Sequence, residues 1–259
     1  MLNKLRNIYY EENNNYLLFG DCLELMKDIP DKSIDMVLCD LPYGNGTHCK
    51  WDSVIPFNEL WERYCRITKD VGAIVLFGSQ PFSSALVMSN LELFRYELIW
   101  EKDRISNIFQ LRTSFGRIHE NILIFSKGNI KYDAKVKMNY FPQNVSDNTS
   151  FGKTYMKEDS VHGKQETKKY KMHGKNYPRD ILKYKCQQGK LHPTQKPVEL
   201  CEYLIKTYTK ENETVLDNCA GSGTTAIACL NANRHWICIE KEEKYCEISK
   251  NRIENYNKI

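Results

Sequence analysis

Hydrophobic positions along the chain alternate between short continuous runs and runs with helical spacing, a pattern that predicts strands alternating with helices. The predicted strands are 16–20, 34–39, 72–79, 95–102, 119–127, 214–217 and 235–240. The predicted helices are 22–29, 57–68, 81–90, 197–209, 224–233 and 243–256. Strands that alternate with helices in this way are typical of an α/β protein whose parallel sheet is covered on both faces.

The pattern fades between Lys127 and Leu191, where Lys, Asn, Gly and Tyr dominate. A structureless connection of this length is unusual inside a compact domain, so we predict an inserted module over 129–190. From Lys127 to Lys190, fifteen basic and six acidic side chains give a local charge of +9, which leaves −5 for the rest of a chain whose net charge is +4. A basic block on a mildly acidic body indicates a polyanionic partner, although a solvated lysine-rich loop has the same composition.

The composition is that of an ordinary globular protein, with 41% hydrophobic and 27% charged residues over 259 positions. The ten cysteines form no CxxC pair, and the neighbours His48 and Cys49 have no second pair, so we expect neither a zinc site nor a disulfide framework. The first residues lack the apolar core of a secretion signal, and no apolar run reaches the length of a membrane span. We therefore expect a cytoplasmic protein without a membrane or metal partner.

The segment "IDMVLCDLPYGNG" (34–46) begins as a buried strand and ends on an acid, a proline, an aromatic residue and glycines. Asp40, Pro42 and Tyr43 thus stand together where the strand ends. Asp, Pro and Gly are common turn formers, so this segment taken alone is more typical of a plain turn at a strand end.

The segment "VLDNCAGSGTT" places a glycine turn between a strand that ends at Asp217 and a helix that starts near Thr224. Gly221 and Gly223 permit a tight turn and the close approach of a ligand. Glu240 ends the next strand, nineteen residues after Gly221, where an acid can accept hydrogen bonds from ribose hydroxyls. The turn is neither GxGxxG nor a P-loop, which favours a nucleoside cofactor without phosphates, S-adenosylmethionine above all; a tight turn without a ligand has the same pattern.

Five segments together resemble the motifs of the amino-group DNA methyltransferases, which methylate adenine N6 or cytosine N4. They are "GDCLELM" (20–26), "DLPY" (40–43), "HENILIFSKG" (119–128), "HPTQKPVELCEYLI" (192–205) and "DNCAGSGTT" (217–225). The catalytic motif precedes the cofactor motif, an order that resembles the circularly permuted β group. The resemblance covers nearly the whole chain outside about 129–190, and Leu41 departs from it at the usual first proline of the catalytic motif.

The resemblance implies a circularly permuted, Rossmann-like S-adenosylmethionine-dependent methyltransferase fold with an inserted target-recognition region. Residues 1–128 and 191–259 would form the catalytic and cofactor-binding domain, and 129–190 the inserted region. Strand 214–217 would lie between 235–240 and 34–39, with 16–20 beyond 235–240. The implied cofactor-binding residues are Asp21, Cys22, Gln195, Lys196, Asp217, Ala220, Gly221, Ser222, Gly223, Thr224 and Glu240.

The resemblance also implies the reaction, which is methyl transfer to adenine N6 in double-stranded DNA after the base has left the stack. The Asp40 carboxylate and the Leu41 carbonyl would accept hydrogen bonds from the amine. Pro42 would stiffen the turn, and Tyr43 would stack on the base. Arg104 and Arg117 flank the catalytic face and are expected to contact DNA, and Trp51 to pack against the loop after the motif.

Three alternatives stay open at this point: a cytosine-N4 enzyme, an enzyme that methylates RNA or a protein amide, and a non-catalytic DNA-binding module. Asp at the first motif position favours adenine, since the cytosine enzymes more often carry Ser there. We expect a bacterial or phage protein, acting alone or as the modification half of a restriction pair. A homodimer is a further expectation from the resemblance.

Overall fold

The structure, a computed structural model, describes residues 5–44, 53–153, 169–187 and 195–256. The expectations for His48, Cys49 and Trp51 lie outside this part of the chain. The chain divides into two compact units, one formed by Met1–Phe141 with Asp180–Ile259 and the other by Pro142–Arg179.

Eleven strands and six α-helices are present in the described residues. The strands are β1 (Ile8–Glu12), β2 (Asn15–Phe19), β3 (Ile34–Cys39), β4 (Thr68–Gly78), β5 (Phe94–Glu101), β6 (His119–Phe125), β7 (Ser146–Lys153), β8 (Lys169–Lys175), β9 (Ile181–Lys183), β10 (Thr214–Asp217) and β11 (His235–Glu240). The helices are α1 (Cys22–Leu25), α2 (Phe57–Ile67), α3 (Phe82–Ser89), α4 (Val198–Tyr208), α5 (Thr224–Asn231) and α6 (Glu243–Tyr256). Short 3-10 turns cover Met26–Asp28 and Ile108–Gln110.

Nine strands form one sheet in the order β1-β2-β11-β10-β3-β4-β6-β5-β9. The predicted order of the four strands around the glycine turn is confirmed, since β10 lies between β11 and β3, and β2 lies beyond β11. The expectation of a parallel sheet is correct for the run from β2 to β4, and β5 and β9 also pair in parallel. Elsewhere β6 is antiparallel to both of its neighbours, and β1 is antiparallel to β2, so the whole sheet is mixed.

Two hydrophobic clusters cover the two faces of the sheet. Met36 and Leu38 of β3 pack into one cluster with α4, α5 and Trp236. The alternate residues Val37 and Cys39 pack into the other cluster with α1 and α2. Because successive side chains of a strand point to opposite faces, β3 is buried on both sides, which explains its continuous apolar run.

The predicted insertion 129–190 is longer than the second unit. Within Pro142–Arg179, β7 and β8 form an antiparallel hairpin, with Ser146 opposite Lys175. Residues up to Phe141 belong to the first unit, as does β9, which pairs with β5 at Ile99 and Ile181. The sequence pattern gave no signal for β9, because an edge strand of three residues is too short for periodicity to reveal. A target-recognition role for this region stays a prediction.

The carboxyl ends of the central parallel strands meet at one edge of the sheet, the usual position of ligand sites in α/β proteins. Asp40 directly follows β3, and the glycine turn directly follows β10. The connection between β5 and β6 leaves the same edge, because β5 runs parallel to β4 and the end of β5, Glu101, pairs with the start of β6, His119. None of the described helices has the length and apolar character to cross a membrane.

Candidate active site and cofactor pocket

A cavity of about 280 Å³ opens at this edge of the sheet and brings the two predicted motifs together. Every predicted site residue lines the cavity except Gly223, which lies within the turn behind it. Residues 40–43 and the turn 220–224 are far apart in the sequence, and the pairing of β3 with β10 places them side by side. The cavity is therefore the candidate site.

The glycine turn requires its two glycines. Gly221 and Gly223 have φ values of +52° and +74°, in the left-handed region that favours glycine. A Cβ on Gly223 would lie 3.0 Å from Ser249 Oγ. Ser249 Oγ donates a 2.8 Å hydrogen bond to the Gly221 carbonyl, so α6 fixes the turn from behind.

Glu240 forms one wall of the cavity at the end of β11. Its Oε2 accepts a 2.8 Å hydrogen bond from the Gly221 amide, and its Oε1 accepts one of 2.9 Å from the Glu242 amide. Burial raises the pKa of this carboxyl, and the backbone amides oppose the rise. These bonds tie the carboxylate to the glycine turn and fix its orientation toward the cavity.

Asp217 ends β10 and organises the turn that follows. Its carboxylate accepts 2.6 Å and 3.1 Å hydrogen bonds from Thr225 Oγ1 and the Cys219 amide. Burial raises its pKa to about 6, against the effect of these donors. The Thr224 hydroxyl, a candidate cofactor contact, lies 3.2 Å from Nη1 of Arg252, which also donates to the Ser222 carbonyl at 3.0 Å. Sequence reasoning missed Arg252, whose position on α6 carries no motif.

Asp21 and Cys22 lie at the start of α1 and line the cavity. The Asp21 carboxylate caps the helix by accepting hydrogen bonds from the amides of Leu23 at 2.9 Å and Glu24 at 3.2 Å. The Gly20 amide donates a 2.9 Å hydrogen bond to the Glu240 carbonyl, which joins this segment to β11. Cys22 is buried.

The carboxylate of Asp40 is held from both sides. Tyr43 Oη donates a 2.8 Å hydrogen bond to Oδ1, and Lys196 Nζ donates one of 2.5 Å to Oδ2. The Tyr43 ring stacks on Phe82 with 4.8 Å between centroids, which fixes the ring that holds Asp40. Leu41, where the resembling motif has proline, is buried, so packing restrains a position that has no pyrrolidine ring.

Lys196 bridges two acids beneath the site. Its side chain is buried, with 7% exposed for the residue, and Nζ also lies 3.3 Å from Glu120 Oε2 and 5.1 Å from the centroid of the Phe77 ring. Glu120 makes a second ion pair with Lys102. The result is a line of alternating charges from Lys102 to Asp40.

Burial and the neighbouring charges set the protonation states of this line. Burial raises the pKa of Asp40, and the positive charge of Lys196 opposes the rise. For Glu120 burial also acts to raise the pKa, but Lys196 and Lys102 outweigh it and the pKa is lowered. Burial acts to lower the pKa of Lys196, and the two carboxylates outweigh it, so Lys196 stays protonated. A charged lysine therefore favours the ionised form of Asp40.

The structure places Lys196 against the catalytic motif, whereas the resemblance implied a contact with the cofactor. Both Gln195 and Lys196 line the cavity, and their cofactor contacts stay predictions. Further lining residues that sequence reasoning did not select are Gly20, Leu23, Leu38, Ser53, Val54, Ile55, Pro56, Phe77, Cys201, Asn218, Cys219, Thr225, Lys241 and Tyr245. Glu120 belongs to the motif segment 119–128, but sequence reasoning gave it no role, because only the fold brings the start of β6 to Asp40.

The arrangement fits a nucleoside cofactor beside an amine substrate. A left-handed glycine turn and a buried acid at the end of the next strand form the cofactor side. Carboxylate and carbonyl acceptors of the 40–43 motif form the other side. Over the described residues, no group of three or more His, Cys, Asp or Glu side chains is placed to hold a metal ion.

Comparison with known proteins identifies relatives over most of the chain. The DNA methylase family model N6_N4_Mtase matches residues 34–251. The chain is 30% identical to the type II methyltransferase M.HinfI of Haemophilus influenzae over 92% of its own length and 68% of the relative. It is 26% identical to the DNA adenine methyltransferase YhdJ of Escherichia coli, over 92% of the chain and 82% of the relative.

A solved structure with the same fold is the complex of M1.HpyAVI with S-adenosylmethionine. It superposes with a TM-score of 0.60 and 25% identity, over 91% of this chain and 98% of the other. The predicted α/β fold is thereby confirmed, and the cofactor of the family is S-adenosylmethionine.

Proposed function

The chain belongs to the N6/N4 DNA methylase family, which uses S-adenosylmethionine to methylate DNA, and on this premise we propose that it methylates the N6 amine of adenine. The observation that carries the proposal is the Asp40 carboxylate, held by Tyr43 and Lys196 at the opening of a cavity that the glycine turn also lines. The name of the relative YhdJ, a DNA adenine methyltransferase, supports the choice of base.

The chemistry that the site must supply is activation of a weak nucleophile. The lone pair of an exocyclic amine on a base is delocalised into the ring. The Asp40 carboxylate and the Leu41 carbonyl accept hydrogen bonds from the two amine hydrogens, which draws the nitrogen toward tetrahedral geometry and frees the lone pair. Each carboxylate oxygen has two acceptor positions, so Asp40 can accept from the substrate while it keeps its bonds to Tyr43 and Lys196.

The cofactor, when bound, supplies the methyl group from its sulfonium. We propose that the glycine turn, Glu240 and Asp21 bind its nucleoside portion and that Thr224 and Gln195 lie toward its amino-acid end. Within the line of charges behind Asp40, Lys196 favours the ionised carboxylate, and its bond to Oδ2 fixes the direction of that group. Much of the rate enhancement then comes from holding amine and methyl donor in line.

The target base must first leave the duplex, because its amine is inaccessible within the stack. We propose that Tyr43 contacts the flipped base with the face that Phe82 leaves uncovered. The basic region 129–190 would neutralise phosphates in a salt-dependent manner and would contain the groups that read the target sequence. A modification role beside a restriction enzyme is a further proposal, which the names of the bacterial type II relatives support. A homodimer is a proposal that rests on the resemblance alone.

Cytosine N4 is the second candidate, since the matching family covers both amines. The amine chemistry of the two bases is the same, so the site geometry described above serves either. Asp rather than Ser at position 40 favours adenine. The labelled nucleoside decides between them.

The test is incubation of the purified protein with tritium-labelled S-adenosylmethionine and unmethylated duplex DNA of mixed sequence, followed by digestion and separation of the nucleosides. We expect label in N6-methyladenine, and a loss of at least about 100-fold for Asp40→Ala, since one such group in a preorganised site contributes on that scale. Asp31→Ala, which removes an exposed carboxylate, is the matched control and should keep full activity.

Calorimetric titration with S-adenosylmethionine shows whether Asp40→Ala still folds and binds the cofactor. Label in N4-methylcytosine would keep the mechanism and change the substrate. Cofactor binding without any label in DNA would refute the DNA assignment and direct the search to RNA or protein amides.

A further inference from the structure

We propose that the loop between β5 and β6 enters the DNA duplex and stacks Phe109 and Phe115 against the bases beside the flipped nucleotide. This inference rests on the proposed function and adds to it the surface that opens the base stack. Four observations support the inference: the two rings are exposed, hydrogen bonds order the loop, the loop starts and ends at the catalytic edge, and the loop carries a positive charge.

The two phenylalanine rings lie almost entirely in solvent. The exposed fractions are 103% for Phe109 and 96% for Phe115. Ile108, Leu111 and Ile118 of the same loop are exposed as well. Exposed apolar residues scattered singly need no explanation, but five in one loop form a patch that indicates a partner.

The loop is nevertheless an ordered structure. Asn107 is buried, with 9% exposed, and its Nδ2 donates a 3.0 Å hydrogen bond to the Phe115 carbonyl. Its Oδ1 accepts a 2.6 Å hydrogen bond from the Arg117 amide. The Ser106 amide donates to the Arg117 carbonyl at 2.9 Å, which closes the base of the loop. A buried amide that fixes the backbone of Phe115 holds the ring out of the core, so its exposure is built into the fold.

The loop begins and ends at the catalytic site. It leaves the sheet after Glu101 and returns at His119, at the edge where Asp40 lies. The flanking residues Lys102 and Glu120 form an ion pair, and Glu120 reaches Asp40 through Lys196. A duplex with its target amine at Asp40 therefore has its neighbouring bases and backbone near this loop.

The charge of the loop selects DNA over a protein surface as the occupant. Arg104, Arg112 and Arg117 are exposed. Residues 102–118 contain four basic side chains and one acidic side chain, Asp103, which pairs with Arg104 at 3.8 Å. Arginines around an apolar tip match phosphates around a base stack. Proteins that open duplexes use apolar side chains in this way, inserting them between bases while cationic side chains contact the backbone.

The physical role of the rings is to replace the stacking that the target base loses when it flips. A flipped base leaves two unstacked neighbours and an unpaired partner. A phenylalanine ring covers such faces without regard to sequence. The rings would thus favour the flipped state, whereas Asp40 and Leu41 act on the amine afterwards.

The test compares Phe109→Ala and Phe115→Ala on two duplexes that carry the sequence methylated by the wild type. In one duplex the target base is normally paired, and in the other it lies opposite an abasic site, which lowers the cost of flipping. We expect kcat/KM on the paired duplex to fall at least about fivefold, the scale of one lost stacking contact. On the abasic duplex the variants should remain within about twofold of the wild type.

Leu91→Ala is the matched control, because Leu91 is an apolar residue, 58% exposed, that precedes β5 at the opposite edge of the sheet and outside the region 129–190. It should match the wild type on both duplexes. Fluorescence of 2-aminopurine at the target position should rise on binding to the wild type and rise less with the Phe109 and Phe115 variants. Affinity for S-adenosylmethionine should be unchanged in all variants, which shows that they fold.

Equal losses on both duplexes, or unaffected variants, would overturn the role of the phenylalanines while the proposed function stands. If sedimentation shows that the wild type is a dimer and that either variant is a monomer, the patch is a subunit interface. This result would also overturn the proposed role of the phenylalanines. A wild-type protein that methylates neither duplex would refute the proposed function, and this role with it.

Discussion

A single buried lysine favours the ionised form of the carboxylate proposed to accept the substrate amine. Lys196 Nζ lies 2.5 Å from Asp40 Oδ2 and 3.3 Å from Glu120 Oε2. Burial and the negative charge of Glu120 both act to raise the pKa of Asp40, and Lys196 opposes them. Asp40 can accept hydrogen bonds with both oxygens only when it is ionised, so Lys196 acts on the reaction through Asp40 as a positioning residue.

We predict that Lys196→Met moves the acidic limb of the pH–rate profile to higher pH. Without the lysine, burial of Asp40 loses its main opposing influence and the pKa rises further, although the hydrogen bond from Tyr43 remains. Because activity is lost as pH falls through this pKa, the loss begins at higher pH in the variant. The measurement is kcat from about pH 5 to 9 for Lys196→Met, with Lys206→Met, a surface lysine of α4, as the control.

Affinity for S-adenosylmethionine separates this role from the one that the resemblance implied. If Lys196 acts on Asp40, the Kd for the cofactor changes little while the profile shifts. A large rise in that Kd with an unshifted acidic limb would instead make Lys196 a cofactor ligand.

At the scale of elements, the start of α5 couples the cofactor turn to the packing of α6. Gly223 precedes the helix in a left-handed conformation, and Ser249 of α6 fills the space where its Cβ would lie. The same Ser249 holds the Gly221 carbonyl. One helix thus fixes both glycines of the turn, and a change at either position must alter the cavity wall.

We predict that Gly223→Ala lowers both stability and cofactor affinity. A side chain at φ +74° costs about 1–2 kcal/mol, and the approach to Ser249 adds to it, so the free energy of unfolding should fall by at least about 1 kcal/mol. Movement of the turn should weaken binding of S-adenosylmethionine by about tenfold. Urea unfolding and calorimetric titration measure the two effects.

Asn231→Ala is the control for this substitution, since it alters an exposed side chain at the other end of α5. It should leave the cofactor affinity unchanged. If the Gly223→Ala variant binds the cofactor as tightly as the wild type, the prediction is wrong and the turn has room to relax.

At the scale of the whole molecule, the hydrophobic core and the hairpin unit are separate structures. The described residues that form the two hydrophobic clusters all belong to the first unit. Pro142–Arg179 contains eight basic and four acidic side chains. The first unit thus holds the cavity, and the second has the composition of a segment that contacts phosphates.

We predict that replacing Pro142–Arg179 with a flexible Gly/Ser linker leaves cofactor binding intact and weakens DNA binding. The core stays complete, so the Kd for S-adenosylmethionine should change less than about threefold. The affinity for duplex DNA should fall, and its dependence on salt should become less steep by about 0.9 per lost phosphate contact in the log–log slope. Loss of cofactor binding would contradict the independence of the first unit.

The sequence by itself determined the local elements and the chemistry of the motifs. A doubly buried strand such as β3 has a continuous apolar run, and a left-handed turn such as 221–223 requires glycine, so both could be read from residue types alone. The order of four central strands followed from the resemblance of the motif order. These features depend on neighbours in the sequence or on motifs that keep their residues together.

Only the tertiary structure decided the contacts between distant segments. Lys196 lies just before α4 and Glu120 lies on β6, which β4 separates from β3, yet the fold brings both to Asp40. No periodicity within any one segment encodes that meeting. The antiparallel insertion of β6 and the edge strand β9 likewise depend on hydrogen bonds between separate segments. The exposure of Phe115 is a property of the folded loop, whose backbone Asn107 holds. Charge networks and loop surfaces were therefore missed, because their energies come from groups that only the fold brings within a few ångströms of each other.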